Sequence, residues 1–286
     1  YNEEYDESFN HQYINSQAGA VNPNGNYGVN RSYDTSAQFY RYFDQTYNVV
    51  ANFNRTFDDK HTVNVMAGTE FYKRRYRGFS AGGYGAPTGY FPGLGLTQND
   101  ADVQSRTMSS WHNEEAIMSY FGRAEYDYMD KYLFAATFRA DGYSRLVNNK
   151  WGTFPGVSGG WVFSKENFWN KLGLENIINY GKLRASYGMN ATINSNYLGY
   201  YTLQGAYSAY KYDGVYGYRV STLPNPNLKW EKTRTAEVGL DLGFLNNRFN
   251  LGFTYYNRLT MDKYSALSLP RTTGFSTVTY NNGQSE

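Results

Sequence analysis

The chain carries few of the side chains that catalysis or metal binding requires. It has three histidines, at positions 11, 61 and 112, and no cysteine. His112 begins the segment His112-Asn113-Glu114-Glu115, which lacks the second histidine of a zinc-protease helix, and no serine or aspartate has a histidine partner at a usable spacing. The sequence therefore predicts neither an enzyme nor a bound metal or other cofactor.

Aromatic side chains point to a different chemistry, which is stacking on sugar rings or on peptide side chains. The chain has 31 tyrosines, and many of them crowd the segment 189–232. The alternative is that these rings only build the scaffold, since aromatic residues are common in β-sheets. The candidate ligand contacts are Trp111, Tyr197, Tyr200, Tyr201, Tyr207, Tyr210 and Trp230.

Charged residues form a second set of candidates, because they recur on one face of the predicted strands. These residues could form a substrate track, but charges in such a position more often pair with each other or with a neighbouring domain, and we favour that structural interpretation. If these strands form a barrel, the residues of this face would line its lumen, and they are Arg123, Glu125, Asp127, Arg139, Asp141, Glu237 and Asp241.

The elements that would position these side chains are β-strands. Around the turn Met129-Asp130-Lys131, two segments alternate with a strict period of two. Phe134 and Ala136 represent the apolar face, and Arg139 and Asp141 represent the polar face. A strand that is apolar on one side and charged on the other is typical of a transmembrane β-barrel wall, in which closure leaves no backbone group unpaired in lipid.

Composition excludes two other classes of protein. The mean hydropathy is −0.69, and no run approaches the about 20 consecutive apolar residues that a spanning helix needs. The net charge of +2 results from 27 basic and 25 acidic residues that are scattered along the chain, so no patch for nucleic acid is visible. Aromatic residues nevertheless make up 19% of the chain. The low mean hydropathy does not argue against a barrel wall, because only every second position of such a wall faces lipid.

The connectors between the strands predict the topology. Short or medium connectors are expected at one end of the strands and long loops at the other, which is the asymmetry of an outer-membrane barrel. The short turns are 58–61, 129–131 and 246–247, the medium connector with room for a helical turn is 165–179, and the long loops are 78–115 and 189–232. The prediction is an all-β fold that forms part of an antiparallel up-and-down transmembrane barrel. This chain would supply about eight or more strands of a barrel with ~22 strands.

Several sequence blocks point to one family. They occur in a consistent order between positions 39 and 283, and the clearest are Ser119–Arg123, Trp151–Pro155, Leu183–Gly188 and Asn225–Lys232. Together these blocks resemble the barrel of SusC/RagA-type TonB-dependent outer-membrane transporters. The resemblance implies that residues 1–286 form a single partial β-barrel domain, with the plug domain, the N-terminal strands and the closing C-terminal strands absent.

The resemblance also implies a function and partners. It implies import of glycan or peptide fragments across the outer membrane of a Gram-negative, Bacteroidetes-like bacterium, with energy from the inner-membrane TonB complex. The implied partners are the outer membrane, a SusD-like surface lipoprotein and the glycan or peptide ligand. The receptor's own plug domain and TonB are also implied, and they would act through parts of the receptor that are missing from this chain. Nucleic acid is not an expected partner. The alternatives are a passive porin-like barrel and a soluble, aromatic-rich carbohydrate-binding β-sandwich.

Overall fold

A computed structural model describes most of the chain. The described residues are 2–10, 34–83, 93–97, 106–173, 177–194, 196–201, 203, 205–246 and 248–285. The strands are β1 (Asn2–Asn10), β2 (Asp34–Phe57), β3 (His61–Gly83), β4 (Arg106–Tyr128), β5 (Tyr132–Tyr143), β6 (Trp151–Trp161), β7 (Ile178–Thr192), β8 (Ala206–Tyr212), β9 (Val215–Thr222), β10 (Glu231–Phe244), β11 (Phe249–Ser268) and β12 (Thr277–Ser285).

The strands confirm the predicted antiparallel up-and-down fold. Over the described residues, β1 to β7 pair in chain order, β10 to β12 continue the same sheet, and β8 and β9 form a separate hairpin between β7 and β10. In the part of the chain that the structure describes, helical structure is restricted to short segments, among them the turn Phe163–Lys165 and the helix Asn167–Lys171 in the medium connector. The described residues contain no helix that is long and apolar enough to cross a membrane.

Three of the tight turns share one backbone geometry. Two consecutive residues have positive φ in Asp58-Asp59, in Met129-Asp130 and in Leu245-Asn246. This is the type I′ arrangement, whose twist matches that of the flanking strands and which Asp and Asn tolerate better than most residues. The sequence predicted all three positions, although Asn247 lies outside the described residues.

The strands near the predicted long loop are longer than the sequence indicated. The prediction that 78–115 is entirely loop was wrong, because β3 continues to Gly83 and β4 begins at Arg106. Gly78 fits the strand because a Cβ atom there would overlap the Phe39 carbonyl oxygen and lie 2.9 Å from the Trp111 ring. The glycine thus permits close packing instead of ending the strand.

The contacts divide the chain into two compact units. Unit 1 comprises residues 1–45 and 73–115, and unit 2 comprises residues 46–72 and 116–286. Unit 2 contains a cluster of buried apolar side chains at the loop end of its strands. Its members are Tyr143, Leu146, Phe154, Leu198, Leu203, Leu228, Trp230 and Tyr264.

The predicted sorting of connectors by length holds only in part. The long connection from β7 to β10 lies at the end opposite the tight turns, as expected. Two short connections, 144–150 and 269–276, lie at that end as well. The strict separation of short and long connectors was therefore wrong, and the connection 144–150 packs its Leu146 in the buried cluster.

Candidate functional site

One face of the sheet in unit 2 is apolar and exposed. The register places Ala136 opposite Ala124 on β4 and opposite Val157 on β6, so these side chains share a face. On that face Phe134 and Val157 are each 58% exposed, and Phe253 is 67% exposed. A continuous apolar surface of this kind marks contact with lipid or with another apolar partner.

The opposite face carries charges that pair with each other. Arg123 forms an ion pair with Glu125, and the Arg139 guanidinium lies 2.8 Å from Asp141 and 3.8 Å from Glu70. Arg139 also donates a hydrogen bond of 3.0 Å to the Ser119 hydroxyl. These contacts agree with the structural interpretation of the charged residues.

A second ion network on this face depends on a glycine. Arg184 contacts Glu237 through one guanidinium nitrogen and Asp241 through another, at 3.3 Å. Its side chain crosses the backbone at Gly239, where a Cβ atom would lie 2.5 Å from the guanidinium carbon. Gly239 therefore gives the arginine room to bridge two carboxylates on the same strand.

The seven predicted lumen-facing residues all lie on this charged face by alternation and register. The Asp127 carboxylate also accepts a hydrogen bond of 2.6 Å from the Asp130 amide and so supports the adjoining turn. That this face lines a lumen in the complete protein stays a prediction.

The aromatic candidates fall into different environments. Tyr207 is 70% exposed and Tyr201 is 50% exposed, whereas Trp230 is 8% exposed. The Trp230 indole donates a hydrogen bond of 3.0 Å to the Lys150 carbonyl and packs edge-on against Phe154. The structure gives Trp230 a packing role, and its contact with a ligand stays a prediction.

The remaining aromatic candidates stay predictions. Trp111 is half-buried beside Tyr40 and Tyr76, with ring centroids 5.6 and 6.1 Å away. The Arg145 guanidinium lies 3.6 Å from the centre of the Tyr200 ring. Tyr197, Tyr207 and Tyr210 are exposed, so their rings are available for contact in the chain as described.

A structural role of the segment Asn225–Glu231 was missed by sequence reasoning. The Pro226 carbonyl accepts a hydrogen bond of 3.1 Å from the backbone amide of Asn148, and the Asn225 side chain donates a hydrogen bond of 2.9 Å to the Thr279 carbonyl. The segment therefore joins the connection 144–150 to strand β12 in unit 2. The available signal was Asn225-Pro226-Asn227, in which the Asn225 side chain accepts from the Asn227 amide and forms an Asx turn.

Glu166 joins two connectors at the turn end of unit 2. Its carboxylate accepts a hydrogen bond of 2.8 Å from the Tyr132 hydroxyl and lies 3.3 Å from the Lys131 ammonium group. The Tyr132 hydrogen bond, followed by donors from Trp161 and Lys131, holds the pKa of Glu166 below its usual value of 4.5. Stability from these contacts is therefore present above that value and is lost as the pH falls through the lowered pKa.

We expect this connection to weaken in acid. The amide of Val162, which donates to the Lys131 carbonyl at 2.8 Å, should lose protection from hydrogen exchange, after correction for the intrinsic rate, as the pH falls below 4.5 and through the lowered pKa of Glu166. In Glu166→Gln, the same amide should show no such pH-dependent loss, because glutamine does not titrate. Equal pH dependence in both proteins would contradict this role of Glu166.

The histidines show no catalytic arrangement among the described residues. The Nδ1 atom of His61 lies 2.7 Å from the Tyr126 hydroxyl, and His112 lies 3.6 Å from Glu114. His11 lies outside the described residues. Within the described part of the chain, no group of three or more histidines and carboxylates is placed to hold a metal ion.

These observations define a class of protein. An antiparallel up-and-down sheet with one exposed apolar face and one face of paired charges is a segment of a transmembrane β-barrel wall. A family model described as TonB dependent receptor-like, beta-barrel, matches residues 1–286. The chain belongs to this family of TonB-dependent receptors.

Known relatives agree with this assignment. The chain is 32% identical over 253 residues to the TonB-dependent receptor SusC of Bacteroides thetaiotaomicron, and 33% identical over 237 residues to the TonB-dependent receptor P39 of Formosa agariphila. These alignments cover 85% and 82% of the chain but 24% and 22% of the relatives. The RagAB peptide transporter structure matches with a TM-score of 0.75 and 25% identity, over 88% of this chain and 27% of the other. The chain thus spans about a quarter of these proteins.

Proposed function

We propose that this chain is part of the wall and loops of an outer-membrane receptor that imports glycan or peptide fragments with energy from the TonB complex. The observation that carries the proposal is the family match over residues 1–286. The similarity to SusC and to the RagAB peptide transporter supports a nutrient ligand. The exposed apolar face supports the membrane location, since lipid would cover it.

The proposal includes the partners that such a receptor requires. A plug domain would fill the barrel, the inner-membrane TonB complex would act on it, and a SusD-like surface lipoprotein would assist ligand capture in a Bacteroidetes-like host. Within this chain, paired ions such as Arg184 with Asp241 form polar wall. The aromatic loop residues that remain exposed would contribute to the binding surface.

The proposal is tested by deleting the gene of the complete receptor in its host. Growth on the oligosaccharide or peptide mixture that the receptor imports should stop, while growth on glucose and free amino acids continues. A separate deletion of tonB should abolish the same uptake. Uptake that persists without TonB would instead support the passive porin alternative.

The soluble β-sandwich alternative needs a second sheet that covers the apolar face. Among the described residues, the only sheet besides the main one is the β8–β9 hairpin, and the apolar rings remain exposed. The structure and the family match therefore favour the barrel. Purification of the complete protein should require detergent.

A further inference from the structure

Unit 1 has two faces with different contacts. On one face Tyr42 stacks on Tyr76 with ring centroids 4.5 Å apart, and Arg74 donates to Asp44 at 2.8 Å. Residues at alternate positions point to the other face. There Lys73 and Arg75 lie 3.1 and 3.0 Å from the Glu114 carboxylate. We name this second surface the basic face.

The basic face has more positive than negative charge. Glu114 is its carboxylate on β4, where it also faces His112 at 3.6 Å, and the register places two further carboxylate positions of β1 on this face, Glu3 opposite Arg41 and Glu7 opposite Ala37. The hydrogen bond from Lys73 is the main cause that lowers the pKa of Glu114, so this carboxylate is ionised at neutral pH. By alternation along the strands, the cations of this face are Arg41, Lys73, Arg75, Arg77 and Arg106.

Exposed aromatic rings lie on the same face as these cations. Phe79 is 52% exposed and stacks on Phe39 at 5.8 Å, and Phe43 is 37% exposed. Aromatic rings together with lysine and arginine are typical of protein surfaces at the boundary between hydrocarbon and anionic lipid headgroups.

The position within β3 agrees with such a boundary. Lys73 follows Phe71 by two residues in one continuous strand, and the alternate positions from Val63 to Phe71 are apolar except for Thr69. Ten residues of strand span about 33 Å, and a tilt of about 40° reduces this to about 25 Å, the height of the apolar band of an outer-membrane barrel. In the sequence of β3, Lys73, Arg75 and Arg77 come directly after this stretch.

We propose that the basic face binds the phosphate groups of a lipopolysaccharide-type glycolipid of the outer leaflet, an inference that rests on the outer-membrane location proposed above. An ammonium group has three donors and a guanidinium has five, so Lys73 and Arg75 retain donors beyond those directed at Glu114. Charge-assisted bonds to phosphate are strong and favour arginine. Glu114 holds the two cations side by side and also competes with the phosphate for them.

The test uses the complete receptor in detergent and native mass spectrometry. The probes are lipid A with two phosphates, the same lipid after dephosphorylation, and inorganic phosphate as competitor. The double variant Lys73→Ala/Arg75→Ala should bind phosphorylated lipid A about tenfold more weakly. Glu114→Gln should bind it more tightly, because the competing carboxylate charge is removed. Arg74→Ala is the matched control, since it removes the neighbouring cation on the opposite face, and it should leave lipid binding unchanged.

Several outcomes would overturn the proposal. These are equal binding of phosphorylated and dephosphorylated lipid A, weaker binding by Glu114→Gln, or the same loss in Arg74→Ala as in the double variant. Binding of inorganic phosphate without preference for the lipid would also overturn it, by indicating a free-phosphate site. If the double variant does not fold, Arg75→Gln replaces it. Nutrient uptake is measured in parallel and should be TonB-dependent in every variant, so failure of the lipid site is distinguishable from failure of the proposed function.

Discussion

Replacing Trp230 with alanine should lower the free energy of local unfolding of the loop cluster in unit 2 by ~3–5 kcal/mol, the usual cost of truncating a buried aromatic side chain. Trp230 packs against Tyr143 and Phe154 with ring centroids 5.9 and 5.8 Å away, beside buried leucines. Its loss would leave a cavity and remove one of the two hydrogen bonds that the Lys150 carbonyl accepts, the other coming from the Tyr143 amide. Hydrogen exchange of the Leu228 and Asn148 amides in the complete protein measures the effect.

Two further variants separate packing from ligand binding. Tyr212→Ala removes an aromatic ring that is 76% exposed in the same long connection, and it should change local stability by less than about 0.5 kcal/mol. Trp230→Phe keeps a ring in the cluster and loses one hydrogen bond, of about 0.5–1.5 kcal/mol, so it should cost less than Trp230→Ala. If Trp230→Ala left amide exchange unchanged but abolished ligand binding, the packing role would be wrong and direct contact of Trp230 with the ligand would be supported.

The sequence predicted those parts of the fold that depend on local patterns. The alternation around Met129-Asp130 identified β4 and β5, because side chains in a strand alternate whatever lies far away in the chain. The same reasoning placed Phe134 and Arg139 on opposite faces, and the register confirms this. Tight turns were predictable because Asp and Asn accept the required backbone angles.

Packing between distant loops could not be predicted in the same way. Trp230 bonds to Lys150, which lies 80 positions earlier, and no periodic pattern reports such a contact. An aromatic residue in a loop therefore looked like a ligand contact, although its surroundings bury it. The Asn225–Glu231 segment was recognised only as part of a family block, since its role depends on the connection and the strand that it joins in space.

Strands β1, β8, β9 and β12 were missed by sequence reasoning. The β8–β9 hairpin turns at Asp213-Gly214, where both residues have positive φ, and Asp-Gly is the expected dipeptide for such a turn. The density of tyrosines drew attention to ligand contacts instead. β1 is rich in acidic and amide residues, so its sequence does not have the apolar alternation that identifies a half-buried strand.

Placing arginine at position 136 of the complete receptor should destabilise it by ~2–4 kcal/mol if this position lies near the bilayer midplane, the cost measured for arginine on the lipid face of a barrel. Ala136 is exposed on the apolar face, between Ala124 and Val157 on the neighbouring strands. A guanidinium there would have to leave water for lipid. Reversible urea unfolding in lipid vesicles measures the change in the free energy of unfolding.

Ala135→Arg is the matched control, because it makes the same change at the adjacent residue on the opposite face. Ala135 lies opposite Glu125 in the register, so the new guanidinium would gain a nearby carboxylate and should cost less than about 1 kcal/mol. Thr137→Arg, on the same face as Ala135, should also be mild, although Arg123 lies opposite it. Equal penalties at positions 135 and 136 would contradict the assignment of one face to lipid and the other to the lumen, since only that assignment makes two neighbouring alanines differ.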